Sequence, residues 1–248
     1  MTPPADAGAS ATPTVLGDLL ARDRRSDRVA CRVVARDRAF SYHDFCTTAW
    51  KTAHVLRYLG VHAGGRVALP PRPEPEPIFT FFGSALVGAT ATFGDDPDAR
   101  VALAPADADG PDSDRPGAKR LVYGGPPADP SVTQWERAVW SENPTPPPDE
   151  VDPDDAALES YTHREVLDSA AGVVADAGLD ADDAVVLRTS LSDPRAVVAG
   201  VVAPLLAGGT VVLPDGTDAD GTDAVGDVAV GEGSVPESRA VAVESVSL

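Results

Sequence analysis

The sequence predicts a three-layer αβα fold built from two pseudo-symmetric α/β halves. A unit of about forty residues occurs twice in the 248-residue chain, because the stretches 59–69 and 88–93 are matched at nearly the same offset by 177–187 and 208–213. Each copy alternates helical and strand-like patterns with short connections, which is typical of a parallel sheet covered by helices. A repeat at one offset predicts two similar supersecondary units rather than one irregular fold.

The first half is predicted to span residues 14–142. Ser41 is the predicted N-cap of its first long helix, with Asp44 three residues later as in a capping box. The prolines at 70–77 are expected to prevent regular structure until a buried helix begins at Ile78. The predicted order is a disordered tail at 1–13, a helix at 15–24, a hairpin over 28–40, a helix at 41–59, a strand at 66–69, the helix from 78, strands at 90–93 and 100–103, an acidic loop at 104–117, a strand at 120–123 and a helix at 132–139.

The second half is predicted to span residues 156–248 and to repeat that order. A stiff, acidic and Pro-rich linker at 143–155 separates it from the first half. An acidic, Gly-rich loop is predicted at 214–227. The predicted elements are a helix at 163–177, a strand at 184–187, a helix at 196–207, a strand at 210–213 and two shorter strands at 227–230 and 239–243.

The chain is strongly acidic, with 39 Asp and Glu residues against 20 Lys and Arg residues and a net charge of −19. Aspartates outnumber glutamates about three to one, and Lys51 and Lys119 are the only lysines. This composition resembles that of proteins from salt-loving archaea. At high salt the repulsion between so many like charges is screened, so a strongly acidic protein can stay compact there. The alternative is an ordinary acidic protein. No basic face is evident along the sequence, so a nucleic-acid partner is not expected.

Cysteine usage and hydropathy exclude several other classes. Cys31 and Cys46 are too few for a disulfide framework and are predicted to be small buried residues of a cytoplasmic protein. The N-terminus lacks the charged and apolar regions of a signal peptide. The uncharged runs at 78–93 and 196–213 are shorter than the roughly 20 residues that a membrane span needs, so no membrane partner is expected.

Several stretches match a known family in their order and spacing. They are Phe-Ser-Tyr at 40–42, Leu-Gly-Val-His-Ala-Gly-Gly-Arg-Val-Ala-Leu at 59–69, Leu-Val-Gly-Ala at 86–89, Thr-His-Arg-Glu-Val-Leu at 162–167 and the Gly-Gly-Thr strand within 205–213. The chain thereby resembles, over most of residues 14–215, AMP-forming acyl-CoA synthetases and related adenylating enzymes. The resemblance implies the N-terminal region of that family, which contains two similar αβα subdomains.

The resemblance implies an activity whose phosphate-binding loop is absent here. The family uses ATP to convert a carboxylate to an acyl-adenylate and then passes the acyl group to a thiol. Its loop is rich in Ser, Thr and Gly and ends in Pro-Lys-Gly, so that backbone N–H groups bind the triphosphate and the lysine offsets its charge. In this chain residues 154–160 are Asp-Asp-Ala-Ala-Leu-Glu-Ser, and their carboxylates would repel a triphosphate.

Few of the family's functional residues can be carried over to this sequence. Tyr161 and Thr162 are the only positions that match nucleotide-binding residues, and no catalytic or metal-binding residue has a counterpart. The Pro-aromatic-x-His segment of the family's acyl pocket is not matched at 189–194. The family's later motifs and its C-terminal catalytic domain would lie beyond Leu248.

Other groups of residues were considered as sites in their own right. His43, Cys46 and His54 could form a partial metal site on one helix, but three ligands on one helix suit tetrahedral zinc poorly, so packing is favoured. Ser160, beside His163, is predicted to cap a helix rather than to act as a nucleophile, because no G-x-S-x-G sequence is present. The stretch Gly-Gly-Pro-Pro at 124–127 could mark a turn near a ligand, but a plain turn is favoured. The Gly-Glu-Gly at 231–233 lacks the strand–helix setting of a dinucleotide-binding loop.

The sequence leaves three functions open. The first, favoured by the missing loop, is a non-catalytic acyl-CoA synthetase-like protein without a cofactor that binds or regulates another protein, such as an intact synthetase. The second is a reduced acid–thiol ligase that uses ATP, AMP and CoA only together with a partner chain. The third is an unrelated soluble interaction module. An amide-lined, positively charged pocket just before Thr162 would favour the second, and a fold without the twofold repeat would favour the third.

Overall fold

The computed structural model describes residues 12–107, 116–214 and 224–248, which form two mainly parallel sheets with helices packed against them. The strands are β1 Val29–Val33, β2 Arg38–Ser41, β3 Arg66–Leu69, β4 Thr90–Phe93, β5 Val101–Pro105, β6 Lys119–Tyr123, β7 Thr133–Gln134, β8 Ala156–Leu158, β9 Tyr161–Thr162, β10 Ala184–Leu187, β11 Thr210–Leu213, β12 Val228–Val230 and β13 Arg239–Val241. The helices are α1 Tyr42–Tyr58, α2 Pro75–Leu86, α3 Trp135–Ser141, α4 His163–Ala177, α5 Pro194–Val197 and α6 Ala203–Ala207. A π-helical turn, Val198–Val202, joins the last two.

The two halves arrange their strands in the same order. The first sheet has the order β7-β6-β5-β3-β4-β8-β9, and the second has the order β13-β12-β10-β11-β1-β2. In each half a central strand, β3 or β10, is followed by a helical crossover to a parallel strand on one side, β4 or β11. The next strand, β5 or β12, returns to the other side of the central strand. The predicted α/β architecture with two similar halves is therefore confirmed, and the fold expected of an unrelated module is not the one observed.

Each sheet is completed by a hairpin from the other half of the chain. The β1–β2 hairpin leads into α1, but it pairs with β11 of the second sheet, where Cys31 is aligned with Val211. The β8–β9 hairpin leads into α4, but it pairs with β4 of the first sheet, where Leu158 is aligned with Ala91. Neither sheet is therefore complete without both halves. The division into subdomains 14–142 and 156–248 stays a prediction, since the exchanged hairpins lie across it.

The centre of the molecule is an aromatic cluster around helix α2. Every residue from Pro75 to Ala85 on this helix is buried. The ring of Phe79 lies between those of Phe40 on β2, Phe45 on α1 and Trp135 on α3. Because β2 belongs to the second sheet and α2 follows a strand of the first, this cluster joins the two halves through apolar contacts.

Most of the predicted elements are confirmed. The strands at 66–69, 90–93, 184–187 and 210–213 and the helix at 163–177 occupy their predicted residues. Ser41 is the N-cap of α1, since its hydroxyl oxygen accepts the N–H of Asp44 at 3.1 Å. Cys31 and Cys46 are buried free thiols, as expected.

The predicted start of helix α2 is wrong. The helix begins at Pro75 rather than at Ile78, and Pro77 lies in its first turn. The N–H groups of a first helical turn have no acceptor within the helix, so proline is tolerated there and its fixed φ favours the helix.

The helix predicted at 15–24 is also wrong. This stretch forms two 3₁₀ turns, Leu16–Leu20 and Arg22–Arg24, because Ala21 between them is extended. The second turn directs the Arg24 guanidinium to the carbonyl oxygen of Leu205, at 2.7 Å. A cation there stabilises the C-terminal end of α6, and this tertiary contact competes with a regular helix.

Three predicted segments lie largely outside the described residues. They are the disordered tail, the acidic loop at 104–117 and the Gly-rich loop at 214–227, of which residues 1–11, 108–115 and 215–223 are not described. Strand β5 continues to Pro105, beyond its predicted end, and the helix predicted from Val132 begins at Trp135, after strand β7. Among the described residues, no helix combines the length and the apolar content that crossing a membrane requires.

Candidate functional site

The candidate site is the start of helix α4, where the resemblance implies a phosphate-binding loop. The chain instead turns sharply from β8 to β9 through Glu159 and Ser160, with Leu158 paired to Tyr161. Glu159 adopts the left-handed region, with φ +54°, as such a tight connection requires. Its N–H donates to the carbonyl oxygen of Ala91 at 2.8 Å. Two residues therefore occupy the position of an entire loop.

The backbone N–H groups at the start of α4 bind acceptors from the protein itself. Thr162 and Glu165 form a capping box, in which the Glu165 N–H donates to the Thr162 hydroxyl oxygen at 3.2 Å and the Thr162 N–H donates to the Glu165 carboxylate at 2.8 Å. The N–H groups of His163 and Arg164 donate to the carbonyl oxygens of Asp155 and Pro153, respectively. A helix N-terminus binds phosphate through free N–H groups. Because the N–H groups of this turn are already bonded, an anion would have to displace the hydrogen bonds just described.

The charges around this helix start also disfavour an anion. The carboxylates of Asp152 and Asp155 accept N–H groups within the turn before β8, and the exposed Asp154 pairs with Arg164 at 2.9 Å. Burial, together with the charge of Asp193, raises the pKa of Glu159. A triphosphate would therefore meet several carboxylates and one cation that is already paired.

A cavity of about 620 Å³ lies beside the turn. Its lining residues are Tyr161, Ser192, Asp193, Pro194, Arg195, Val246, Ser247 and Leu248. Arg195 contacts both carboxylate oxygens of Asp193, at 2.6 and 3.1 Å, and these bonds lower the pKa of Asp193. The charge of Arg195 is thus neutralised by Asp193, so this side chain offers the cavity no free positive charge. A second cavity, of about 710 Å³, follows the outer side of α4 and is lined by Glu165, Asp168 and Asp176 among others.

A buried ion pair joins the residue that follows β10 to the segment that precedes β13. Arg188, directly after β10, donates to both carboxylate oxygens of Glu237, at 2.8 and 2.6 Å, and both side chains are buried. Burial alone would raise the pKa of Glu237, but the bonds from Arg188 and from the Val225 N–H outweigh it and hold the pKa below its ordinary value.

The other residues considered from the sequence do not form a site. His43 is exposed, Cys46 is buried, and the His54 ring contacts the carbonyl oxygen of Thr145 at 2.9 Å. In residues 12–107, 116–214 and 224–248, no group of three or more His, Cys, Asp or Glu side chains is arranged to hold a metal ion.

The prediction that Ser160 caps helix α4 is wrong. Thr162 caps α4, and Ser160 lies in the turn between β8 and β9. The stretch at 124–127 begins with a bend at the left-handed Gly124, in agreement with the predicted turn, and residues 231–233 form a bend with a left-handed Gly233.

Two ion pairs that each contain a buried carboxylate were missed by the sequence analysis. One is Arg188–Glu237, and the other joins Arg36 to Glu76 at 2.7 Å, where burial raises the pKa of Glu76. Partners so far apart in the sequence form no motif. Their only signal is a lone charged residue at the end of an otherwise apolar stretch, as Arg188 is after Val-Val-Leu.

His163, the first residue of α4, is buried and neutral. Its Nδ1 accepts the N–H of Leu16 at 3.1 Å, and burial lowers the pKa of its imidazole from 6.5 to about 4, against a smaller opposite effect of Asp155 and Asp18. Between these two values the unfolded chain binds a proton that the folded chain does not. Stability is therefore expected to fall as the pH falls from 6.5 towards 4, by up to about 3 kcal/mol from this residue.

This loss can be measured by urea unfolding across that pH range. We expect His163→Gln, whose amide oxygen can still accept the Leu16 N–H, to lose less stability on acidification than the unmodified protein. The exposed His62→Gln is the matched control and should behave as the unmodified protein. Equal acid sensitivity of the His163→Gln variant and the unmodified protein would contradict the assignment.

The fold matches that of the N-terminal part of solved CoA ligases. The anthranilate CoA ligase AuaEII, solved in complex with anthranoyl-AMP, matches with a TM-score of 0.71 at 17% identity, covering 88% of this chain and 49% of that one. A benzoate CoA ligase from Burkholderia xenovorans matches with a TM-score of 0.69 at 19% identity, covering 88% and 50%.

A third match is itself an isolated domain. The N-terminal domain of FACL13 from Mycobacterium tuberculosis matches with a TM-score of 0.67 at 19% identity, covering 88% of this chain and 62% of that one. The present chain thus spans about half the length of the two ligases above. No family model matches the sequence, and no curated protein matches it. The likeness at these identities shows the fold alone.

Proposed function

We propose that this chain is a non-catalytic, acyl-CoA synthetase-like protein of the cytoplasm that binds and regulates another protein. The observation that supports the proposal is the Glu159–Ser160 turn, which stands where a triphosphate would be held. The capping box of Thr162 and Glu165 supports it as well, because it uses the N–H groups that a phosphate would need. An intact synthetase is the partner that the resemblance suggests.

We further propose that the protein works at high salt. Its net charge of −19 opposes compaction at low ionic strength, whereas molar salt shortens the range of the repulsion to about 3 Å. Binding and activity are therefore best measured in molar potassium chloride.

The alternative is a reduced AMP-forming ligase that becomes active with a partner chain. The cavity beside Tyr161 and Arg195 favours it, because it lies next to the helix start and has room for a small ligand. A partner would have to supply the cations and the free N–H groups for the phosphates.

The proposal predicts no ATP-dependent pyrophosphate release with any of a panel of aliphatic and aromatic carboxylic acids. The assay is run in molar salt on protein whose folding is verified by cooperative urea unfolding. The Burkholderia xenovorans benzoate CoA ligase, assayed with benzoate in a buffer suited to it, is the positive control. Isothermal titration with ATP and AMP should give no binding. Release of pyrophosphate by the isolated chain, or tight binding of ATP, would contradict the proposal, and activity that appears only with a partner chain would establish the alternative.

A further inference from the structure

Strand β13 ends the second sheet, so one of its edges has no neighbouring strand among the described residues. The Arg239 N–H donates to the carbonyl oxygen of Asp227, and the Gly231 N–H donates to the carbonyl oxygen of Val241. The main-chain groups of residues 239 and 241 are therefore directed towards β12. Those of Ala240, between them, are directed to the other side, because these groups alternate in direction along a strand. The free edge of β13 thus presents one N–H donor and one carbonyl acceptor.

The cavity of about 710 Å³ lies along this edge. Ala240, Val241 and Ala242 line it, and Ala240 is exposed. Helix α4 also lines it, and at Gly172 no described atom of another element lies within 4 Å of the place that a Cβ would take. Val173 and Val241 supply apolar side chains to the lining. A cavity of this size has room for several residues of a bound chain.

The cavity is lined by carboxylates. Glu165, Asp168 and Asp176 of α4 belong to its lining, whereas none of the described lining residues is Lys or Arg. Asp168 and Asp176 are eight residues apart on the helix, so about 12 Å of helix axis separates them. In an extended chain, residues i and i+4 lie on one face about 13 Å apart. Two cations on one face of an extended segment can therefore match the spacing of these carboxylates.

The arginines on the elements that line the cavity are already paired. Arg164, on α4, pairs with Asp154 at 2.9 Å, and Arg239, on β13, is bonded to Asp183. Glu244, which follows β13, adds a further exposed carboxylate. The surroundings of the cavity therefore carry more carboxylate than available positive charge, which favours an occupant that brings its own cations.

We propose that the free edge of β13 binds an extended, basic segment of a partner protein, which adds a strand to the second sheet. The N–H and the carbonyl oxygen of Ala240 would bond to the main chain of that segment, and its Lys or Arg side chains would pair with Asp168 and Asp176. The main-chain bonds and the apolar contacts persist at molar salt, where the charge pairs are screened. The inference rests on the binding role proposed above.

Two other occupants of the edge fit less well. A second copy of this chain, paired through the same edge, would bring two acidic α4 helices together. A nucleic acid would be repelled by the carboxylates that line the cavity.

The probe is a synthetic peptide of alternating Lys and Val residues, and its binding is measured by isothermal titration at low and at molar salt. The matched control is the same peptide with methylated backbone nitrogens, which keeps the charges but cannot donate hydrogen bonds to a strand. We expect the control to bind at least about tenfold more weakly. A peptide of alternating Glu and Val residues should not bind. Hydrogen exchange at the Ala240 amide should slow when the Lys peptide is bound.

A proline at the free edge tests the main-chain bonds from the side of the protein. Ala240→Pro removes the N–H of the edge but leaves the bonds of residues 239 and 241 to β12, so the sheet should still form. We expect this variant to bind the Lys peptide about tenfold more weakly. The methylated peptide keeps the test decisive should Ala240→Pro not fold.

A second variant tests the charges. Asp168→Asn combined with Asp176→Asn should weaken binding about tenfold at low salt and little at molar salt. The matched control is Asp27→Asn combined with Glu150→Gln, which removes two exposed carboxylates outside the lining of the cavity. This control should bind as the unmodified protein does. Urea unfolding verifies that each variant is folded.

Three outcomes would overturn the proposal. The first is no binding of the Lys peptide, or binding that the Ala240 and Asp168–Asp176 variants leave unchanged. The second is equal binding of the methylated peptide, which would indicate general attraction of cations to an acidic chain. The third is self-association in sedimentation experiments that Ala240→Pro abolishes, which would assign the edge to a second copy. Pyrophosphate release would contradict the proposed lack of catalysis without affecting these measurements, so the two proposals can fail separately.

Discussion

Replacing Arg188 with methionine is expected to lower the free energy of unfolding by about 3–5 kcal/mol. The reason is that Glu237 would keep its charge in a buried position while losing both of its hydrogen bonds from the guanidinium, which are 2.8 and 2.6 Å long. Urea unfolding followed by circular dichroism measures the loss. Urea is preferred to guanidinium chloride because it adds no ionic strength.

Two further variants identify the cause of that loss. Arg195→Met removes the cation of a partly exposed pair with Asp193 and should cost less than about 1 kcal/mol. The double variant Arg188→Met, Glu237→Met removes both buried charges and should recover most of the stability, since apolar groups of similar size can replace a buried pair. If the double variant were as unstable as Arg188→Met alone, the unpaired charge would not be the cause.

Replacing Phe79 with alanine is expected to cost about 3–5 kcal/mol as well. The side chain is 1% exposed, and its ring lies 5.0, 4.9 and 6.1 Å from those of Phe40, Phe45 and Trp135. The cavity left by the ring would remove contacts between elements of both sheets at once. Urea unfolding measures the loss, and the fluorescence of Trp135 should shift to longer wavelength as water gains access to its ring.

The exposed Trp140 provides the comparison for Phe79. Trp140→Ala removes a larger ring that is 86% exposed, and it should change the free energy of unfolding by no more than about 0.5 kcal/mol. Similar losses for the two variants would mean that the packing around Phe79 is not as described.

The repeated core could be predicted from sequence because its signals are local. Each central strand is a short apolar run that follows glycine or a charged residue. Helix α4 also has a local start signal, the capping box of Thr162 and Glu165, but the sequence analysis placed its cap at Ser160. The same local rules misplaced the start of α2, since Pro75 and Pro77 suggest a break unless the first turn of a helix is recognised as the place where proline is tolerated.

The pairings between the halves could not be predicted, because their signals are not local. Nothing in Val29–Val33 indicates that its neighbour is Thr210–Leu213 rather than the nearer Thr90–Phe93, since these two strands have nearly the same apolar pattern. At the candidate site, the absence of the phosphate loop was evident from the residue types alone. The hydrogen bond from Glu159 to the carbonyl oxygen of Ala91 could not be predicted, and neither could the acceptors of the first N–H groups of α4, because these bonds depend on tertiary contacts. Arg188 and Glu237 required the fold to bring them together.

The exchange of hairpins between the sheets has a consequence for how the chain matures on the ribosome. About 180 residues separate Cys31 from Val211, so the hairpin acquires its neighbouring strand only after all of these residues have been synthesised. Until then the edge of β1 that pairs with β11 is free to pair with other strands. The correct pairing forms slowly, because it closes a long loop of the chain. The hairpin carries Arg32 on β1 and Arg38 on β2. Their charges disfavour edge-to-edge association, so they would reduce wrong strand pairing until β11 has been synthesised.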